Sequence, residues 1–134
     1  MNEAKQTLRP IPCVGVVCRR GDEVLLIRRG RPPRMGEWSI PGGKVEWGEP
    51  LAVAALRELR EETGVDAELA DLIAVYEIIE PGFHYVLIDY AARWISGEPV
   101  AADDADEACF MPFAAALDAV VRDDLRDVLI RSWR

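Results

Sequence analysis

The stretch Gly43 to Val65, GKVEWGEPLAVAALRELREETGV, constrains this chain more than any other part of it. From about Pro50 to Thr63 the pattern is helical, with Leu51, Ala55 and Leu59 recurring every four residues as an apolar stripe expected to face the core. Pro50 suits the first turn of that helix, and Gly64 is a natural stop. Glu58, Glu61 and Glu62 are spaced i, i+3, i+4, so their carboxylates leave the same helical face. Like charges at i, i+4 destabilise a helix by roughly 0.2–0.5 kcal/mol per pair. Three kept together point to a cation that holds them.

The stretch fills the pattern G-x5-E-x7-R-E-U-x-E-E-x-G-U, with U aliphatic, at all of its specified places: Gly43, Glu49, Arg57, Glu58, Leu59, Glu61, Glu62, Gly64 and Val65. At average residue frequencies a match at a given start has odds on the order of 10⁻⁹. This pattern is the Nudix box, and the chain resembles a Nudix hydrolase, an enzyme that cleaves nucleoside diphosphates linked to another group. A solvated acidic face is the commoner fate of an isolated ELREE string; the complete box reverses that weighting.

The resemblance implies Mg²⁺ as cofactor, with Mn²⁺ as a possible substitute, and metal ligation by Glu58, Glu61, Glu62 and the Gly43 carbonyl. Magnesium takes hard oxygen ligands, which is what these residues offer. Arg57 is placed to pair with Glu61 and Glu49 and hold the carboxylates in position. Glu49 either orients the cluster or binds a second metal. The general base is Glu61 on the helix or an acid of the later loop, where Asp103, Asp104 and Glu107 lie. Many Nudix proteins have an arginine at the strand end before the box that contacts substrate phosphate. Arg28 and Arg29 stand there, Arg29 the better by position, although an arginine pair at a strand end is often merely solvated. His84, the only histidine, either faces the pocket or is a packed strand residue.

Along the chain, a short polar tail runs to about Pro10. Two apolar runs, Val14 to Arg20 and Val24 to Arg29, flank Gly21-Asp22 and predict a hairpin. Gly30 to Glu37 reads as an exposed loop, and Pro41-Gly42-Gly43 as a tight turn. Ala67 to Ile79 and Phe83 to Ile95 predict antiparallel strands around Glu80-Pro81-Gly82. Ser96 to Asp106 is acidic and turn-like, Ala108 to Phe110 a short strand. Two amphipathic helices follow, Phe113 to Val121 and Asp123 to Trp133. The expected architecture is α/β, a mixed central sheet covered by helices on both faces in an α/β/α sandwich, as the resemblance also implies. One domain over residues 1–134 is expected from length and from a hydrophobic content of 50%.

A net charge of −8 argues against a general nucleic-acid or anionic-membrane surface. Cys13, Cys18 and Cys109 are odd in number and lack CxxC spacing, which fits idle thiols in a reducing compartment. With no signal peptide and no stretch able to cross a bilayer, the expected location is cytoplasmic. The expected partner is a small nucleotide, and many relatives in the resembled family are homodimers.

The box says little about the substrate. Pro81 lies sixteen residues beyond Val65, a spacing associated with the ADP-ribose pyrophosphatase group, which HYVLIDYAARW and DDADEA also resemble. The rival is a MutT-like cleaner of damaged nucleoside triphosphates. Some of these read a purine with an asparagine; the only asparagine here is Asn2. A non-catalytic Nudix binding module would typically lack one or more box glutamates, and all are present. Trp38, Trp47, Tyr76, Phe83 and Tyr85 are candidates for an aromatic shelf under a base.

Overall fold

A computed structural model describes residues 8–134, so most of the polar tail lies outside the described residues. Strands β1 (Ile11–Arg20), β2 (Glu23–Arg29), β3 (Trp38–Ser39) and β4 (Gly42–Lys44) precede helix α1 (Leu51–Thr63). Then come β5 (Asp66–Glu80), β6 (Phe83–Ser96), β7 (Ala105–Pro112) and helices α2 (Phe113–Ala119) and α3 (Asp123–Ser132). The sheet order is β3-β2-β1-β6-β5, with β4 also on β1 and β7 on β2. The sheet is mixed because β1 and β6 run parallel while the other pairs are antiparallel.

Strand alternation sends apolar side chains into two cores. Val14, Val16 and Cys18 of β1 meet Ala54, Ala55 and Leu59 of α1. Val17 of β1, with Val24 and Leu26 of β2, meets Ala116 of α2 and Leu125, Val128 and Leu129 of α3. Strands buried on both faces read as near-continuous apolar runs, which is why VGVVC and VLLI lack clean alternation. This is the expected α/β/α sandwich. Each fully buried leucine, such as Leu25 or Leu59, contributes roughly 1.5–3 kcal/mol.

Three local expectations needed correction. Pro41-Gly42-Gly43 is not a tight turn, since Gly42 and Gly43 pair with Gly15 and Val14 as strand β4. A Cβ on Gly42 would fall 2.1 Å from the Val14 carbonyl oxygen. Glycine is required there by strand contact rather than by turn geometry. β7 outruns Ala108 to Phe110 because it pairs with β2 from Glu23↔Pro112 to Arg29↔Ala105. Leu51, the first residue of the helical stripe, is exposed, and the buried face of α1 is built from Ala54, Ala55 and Leu59.

One feature of the sheet opens the site. β1 and β2 pair only at Arg19↔Val24 and Arg20↔Glu23, beside their turn. Beyond that they diverge, and the intervening β3–β4 segment is divided between them, β4 on β1 and β3 on β2. The cleft so formed lies beside α1.

Candidate active site

The acidic face of α1 meets the backbone of β4. Gly42 N–H donates to Glu62 Oε1 at 2.7 Å. The Glu58 carboxylate takes the space a side chain would need at Gly43, where a Cβ would be 2.5 Å from its Cδ. The three carboxylates are graded in burial: Glu62 is 7% exposed, Glu58 is half-buried and Glu61 is open to solvent.

Arg57 ties this face to the loop before it. Its Nε and Nη2 donate to Glu49 at 2.6 and 2.9 Å, a bidentate pair, and Nη2 also donates to the Lys44 carbonyl at 3.1 Å. Its Nη1 reaches Glu58 at 2.9 Å and Glu61 at 3.0 Å. These hydrogen bonds hold the Glu49 carboxyl down to about 2. Burial acts the other way on Glu62, pushing it up to about 7, and it also raises Glu58 against the pull of Arg57.

A cavity of about 550 Å³ runs from this face into the cleft. Glu58, Glu61 and Glu62 line one end, and Arg29, Arg31, Arg34, Asp103 and Asp104 stand around it. The loop after β6 reaches the cavity by capping α1: Val100 and Ala102 N–H donate to the carbonyls of Thr63 and Glu62 at 2.9 and 3.0 Å. Those carbonyls belong to the last turn, which has no helical partners of its own. Asp104 pairs with Arg31 at 3.0 Å, and its carbonyl accepts from Gly30 N–H at 2.8 Å.

The donors fit a hard divalent cation: carboxylate oxygens on one rigid face, a glycine strand that brings backbone close to them, and two acids whose burial a cation would offset. Among the described residues no three Asp, Glu, His or Cys side chains already converge as a metal cage. Glu58 and Glu61 are instead engaged by Nη1 of Arg57.

The family model for the NUDIX domain matches residues 9–131 of the chain. This chain belongs to the Nudix family. It is 37% identical over 105 residues to an ADP-ribose pyrophosphatase of Methanocaldococcus jannaschii, covering 77% of this chain and 62% of that protein. It is 46% identical over 66 residues to an RNA pyrophosphohydrolase of Roseobacter denitrificans, covering 49% of this chain and 41% of that one. The chain thus spans less than two thirds of the length of these curated relatives. Among solved structures, a MutT NUDIX hydrolase from Burkholderia pseudomallei superposes with a TM-score of 0.79 at 34% identity, over 92% of this chain and 98% of its own.

Within this Nudix domain the structure separates the remaining candidates. Neighbouring strand residues point to opposite faces, so Arg29 lines the cavity with Ile27, whereas Arg28 turns away. Arg28 lies 3.6 Å from Glu107 and 3.8 Å from Asp106, which takes Glu107 out of the site with it. His84 is displaced for the same reason. Its strand neighbours Phe83 and Tyr85 line the cavity, while the His84 ring contacts Glu77 at 2.7 Å on the adjoining strand. Arg28 and His84, the candidate substrate contacts, and Glu107, the candidate loop acid, therefore stand outside the cavity.

Of the aromatic candidates, Phe83 and Tyr85 line the cavity, Trp47 is fully exposed, and Trp38 and Tyr76 pack against the α2–α3 core. Sequence reasoning passed over Lys44, Arg122 and Asp89, all on the cavity wall. Asp89 had a visible signal: one acid inside the apolar run VLIDYAA.

Proposed function

We propose that this chain hydrolyses the diphosphate bridge of a nucleoside diphosphate derivative with Mg²⁺, or Mn²⁺ in its place, and that ADP-ribose is its substrate, yielding AMP and ribose 5-phosphate. The observation that carries this reading is the gathering of Glu58, Glu61 and Glu62 against the Gly42–Gly43 backbone at one end of a cavity that also holds Arg29. Magnesium, when bound, neutralises phosphate oxygens and lowers the pKa of a coordinated water. Glu58, Glu61 and Glu62 with the Gly43 carbonyl would hold it.

The protein's own groups do the rest. Arg29 supplies positive charge to the diphosphate from the β2 side, where Arg31 and Arg34 also line the cavity. The Glu49–Arg57 pair fixes α1 to the loop before it. Nη1 of Arg57 lets Glu58 and Glu61 turn to a cation while Nε and Nη2 keep their hold on Glu49 and Lys44. Glu61 is the general base on this reading, being the acid of the three left most open to solvent; Asp103 and Asp104 are the loop acids within the same cavity.

ADP-ribose is favoured by the place of Pro81 beyond the box and by the named activity of the Methanocaldococcus relative. A MutT-like triphosphate pyrophosphohydrolase is the second reading, supported by the likeness to the Burkholderia protein. Incubation with Mg²⁺ and a panel of nucleoside diphosphate derivatives and triphosphates, with product identification, separates them. AMP and ribose 5-phosphate are expected from ADP-ribose. Inorganic pyrophosphate from a triphosphate, with ADP-ribose untouched, would overturn the preferred substrate. A homodimer belongs to the same proposal, and sedimentation in the presence of Mg²⁺ tests it.

A further inference from the structure

Asp89 is a buried acid that the chemistry at α1 does not use. It lies within β6, 3% exposed, on the cavity wall. In the sheet it is the register partner of Gly15 on β1, and Gly15 is the partner of Gly42 on β4. Three strands therefore set Gly42, Gly15 and Asp89 in one row. At about 4.8 Å between strands, Asp89 is about 10 Å from the Gly42 backbone that fixes Glu62. That is beyond a diphosphate held at α1 and within reach of the sugar and base attached to it.

The fold makes specific room for this carboxylate. Glycine weakens a strand interior and often marks a close approach, and Gly15 sits inside the most buried strand. A Cβ there would be 2.1 Å from Asp89 Oδ1 and 2.8 Å from Ile40 Cδ1. Burial pushes the carboxyl up to about 6. Arg122, the cation that favours its charge, spends its guanidinium on Asp124, with Nε at 2.9 Å from Oδ1. The Tyr76 hydroxyl hydrogen-bonds Asp89, which pulls the carboxyl part of the way back down, and it also lies 3.0 Å from the Asp124 carbonyl. A carboxylate can accept more bonds than that one hydroxyl supplies. A core position with no use for an acid would have been filled by an apolar residue at lower cost.

The approach to Asp89 is apolar. Phe83, Tyr85 and Leu87 share its parity on β6 and line the same cavity, and the Phe83 and Tyr85 rings stack at 4.6 Å. An aromatic and aliphatic wall ending in one acceptor is the chemistry of a flat heterocycle that carries an amino group.

We propose that Asp89 is a specificity-determining residue that accepts a hydrogen bond from the exocyclic amino group of a purine. This rests on the reading of the site as a nucleotide hydrolase. N6 of adenine and N2 of guanine offer the same chemistry. Hypoxanthine has neither group and turns a carbonyl acceptor toward the position of the adenine amine. A site built to bond a donor discriminates against an analogue lacking it, because its own buried group is left unpaired.

Calorimetric binding of AMP, GMP and IMP to the intact chain, without divalent ions, tests this in the wild type and in Asp89→Asn. The wild type is expected to bind AMP or GMP about tenfold or more tighter than IMP, a charge-assisted bond's worth. An advantage for AMP assigns adenine, and one for GMP assigns guanine. In Asp89→Asn the ratio should fall to about threefold or less, because a neutral amide oxygen accepts more weakly than a carboxylate and, at the adenine amine position, the amide can also donate to the hypoxanthine carbonyl. Gly15→Ala, which displaces the carboxylate without changing residue 89, should compress the ratio likewise. Equal binding of the three nucleotides, no binding of any, or an unchanged ratio in Asp89→Asn would overturn the proposal. Asparagine is nearly isosteric and removes a buried charge, so a folded variant is expected, checked by thermal unfolding. Binding is read without turnover, so failure to cleave ADP-ribose and failure of base discrimination are separately visible.

Discussion

Single residues carry much of the design, and two pairs show it. Gly42 and Gly43 are adjacent, but a side chain meets different obstacles at each. At Gly42 it meets the Val14 carbonyl at 2.1 Å, which is backbone; at Gly43 it meets the Glu58 carboxylate, which can rotate. Gly42→Ala is therefore expected to lower stability by about 1–3 kcal/mol or prevent folding, as overpacking does. Gly43→Ala should fold with a near-native urea midpoint yet lose activity, and equal midpoints for both would contradict the contact geometry. Asp89 and Gly15 form the second pair. The Asp89 carboxyl has its pKa raised in the folded state, from 3.8 to about 6, so the folded chain binds this proton more tightly than the unfolded one. Its contribution to stability is fully present below about pH 4, declines as pH rises to about 6, and stays lost above that. The loss is at most about 3 kcal/mol. Urea midpoints of Asp89→Asn minus wild type should accordingly climb between pH 4 and 6 and then level off.

At the scale of elements, α1 works as a ligand bar that must stay fixed to its preceding loop. It has no side-chain N-cap hydrogen bond at Pro50, so the Arg57–Glu49 clamp gives its first half a tie that capping does not supply. Lysine cannot reproduce a bidentate grip together with two further carboxylate contacts. Arg57→Lys is expected to reduce kcat/KM by about 10–100-fold and raise the Mg²⁺ concentration for half-maximal rate. Turnover equal to wild type at all Mg²⁺ concentrations would show the clamp to be idle. The carboxylate spacing, the Gly64 stop and the hairpins were legible in the sequence because each is set by residues close along the chain. Gly64 does adopt the left-handed conformation, with φ 73°, that ends the helix. The exposure of Leu51 was not legible, since periodicity gives a helix face but not how far the neighbouring sheet extends beneath it.

For the whole molecule, the cleft exists because β1 and β2 part after a short pairing and the loop after β6 bends back to cap α1. The latch between Arg34 and Glu80, at 2.7 Å, joins the β2–β3 loop to the β5–β6 turn across a long sequence separation. A ligand that binds only the folded state stabilises it by mass action, about 2.7 kcal/mol at a hundred times its Kd. Saturating Mg²⁺ is thus expected to raise Tm by several degrees, EDTA to reverse the gain and stop turnover, and Glu58→Gln to lose most of the increment. A Tm indifferent to Mg²⁺ in the wild type would count against a metal site on α1. The sequence by itself determined the Nudix box, the helix that carries its glutamates and the two-sided burial of the central strands, since spacing and apolar runs are local properties. Only the tertiary structure decided that Arg29 faces the cavity while Arg28, Glu107 and His84 do not, and that Gly15 makes room for Asp89. Strand parity is visible in one dimension, but which parity opens on a cleft depends on strands and loops brought together from distant parts of the chain.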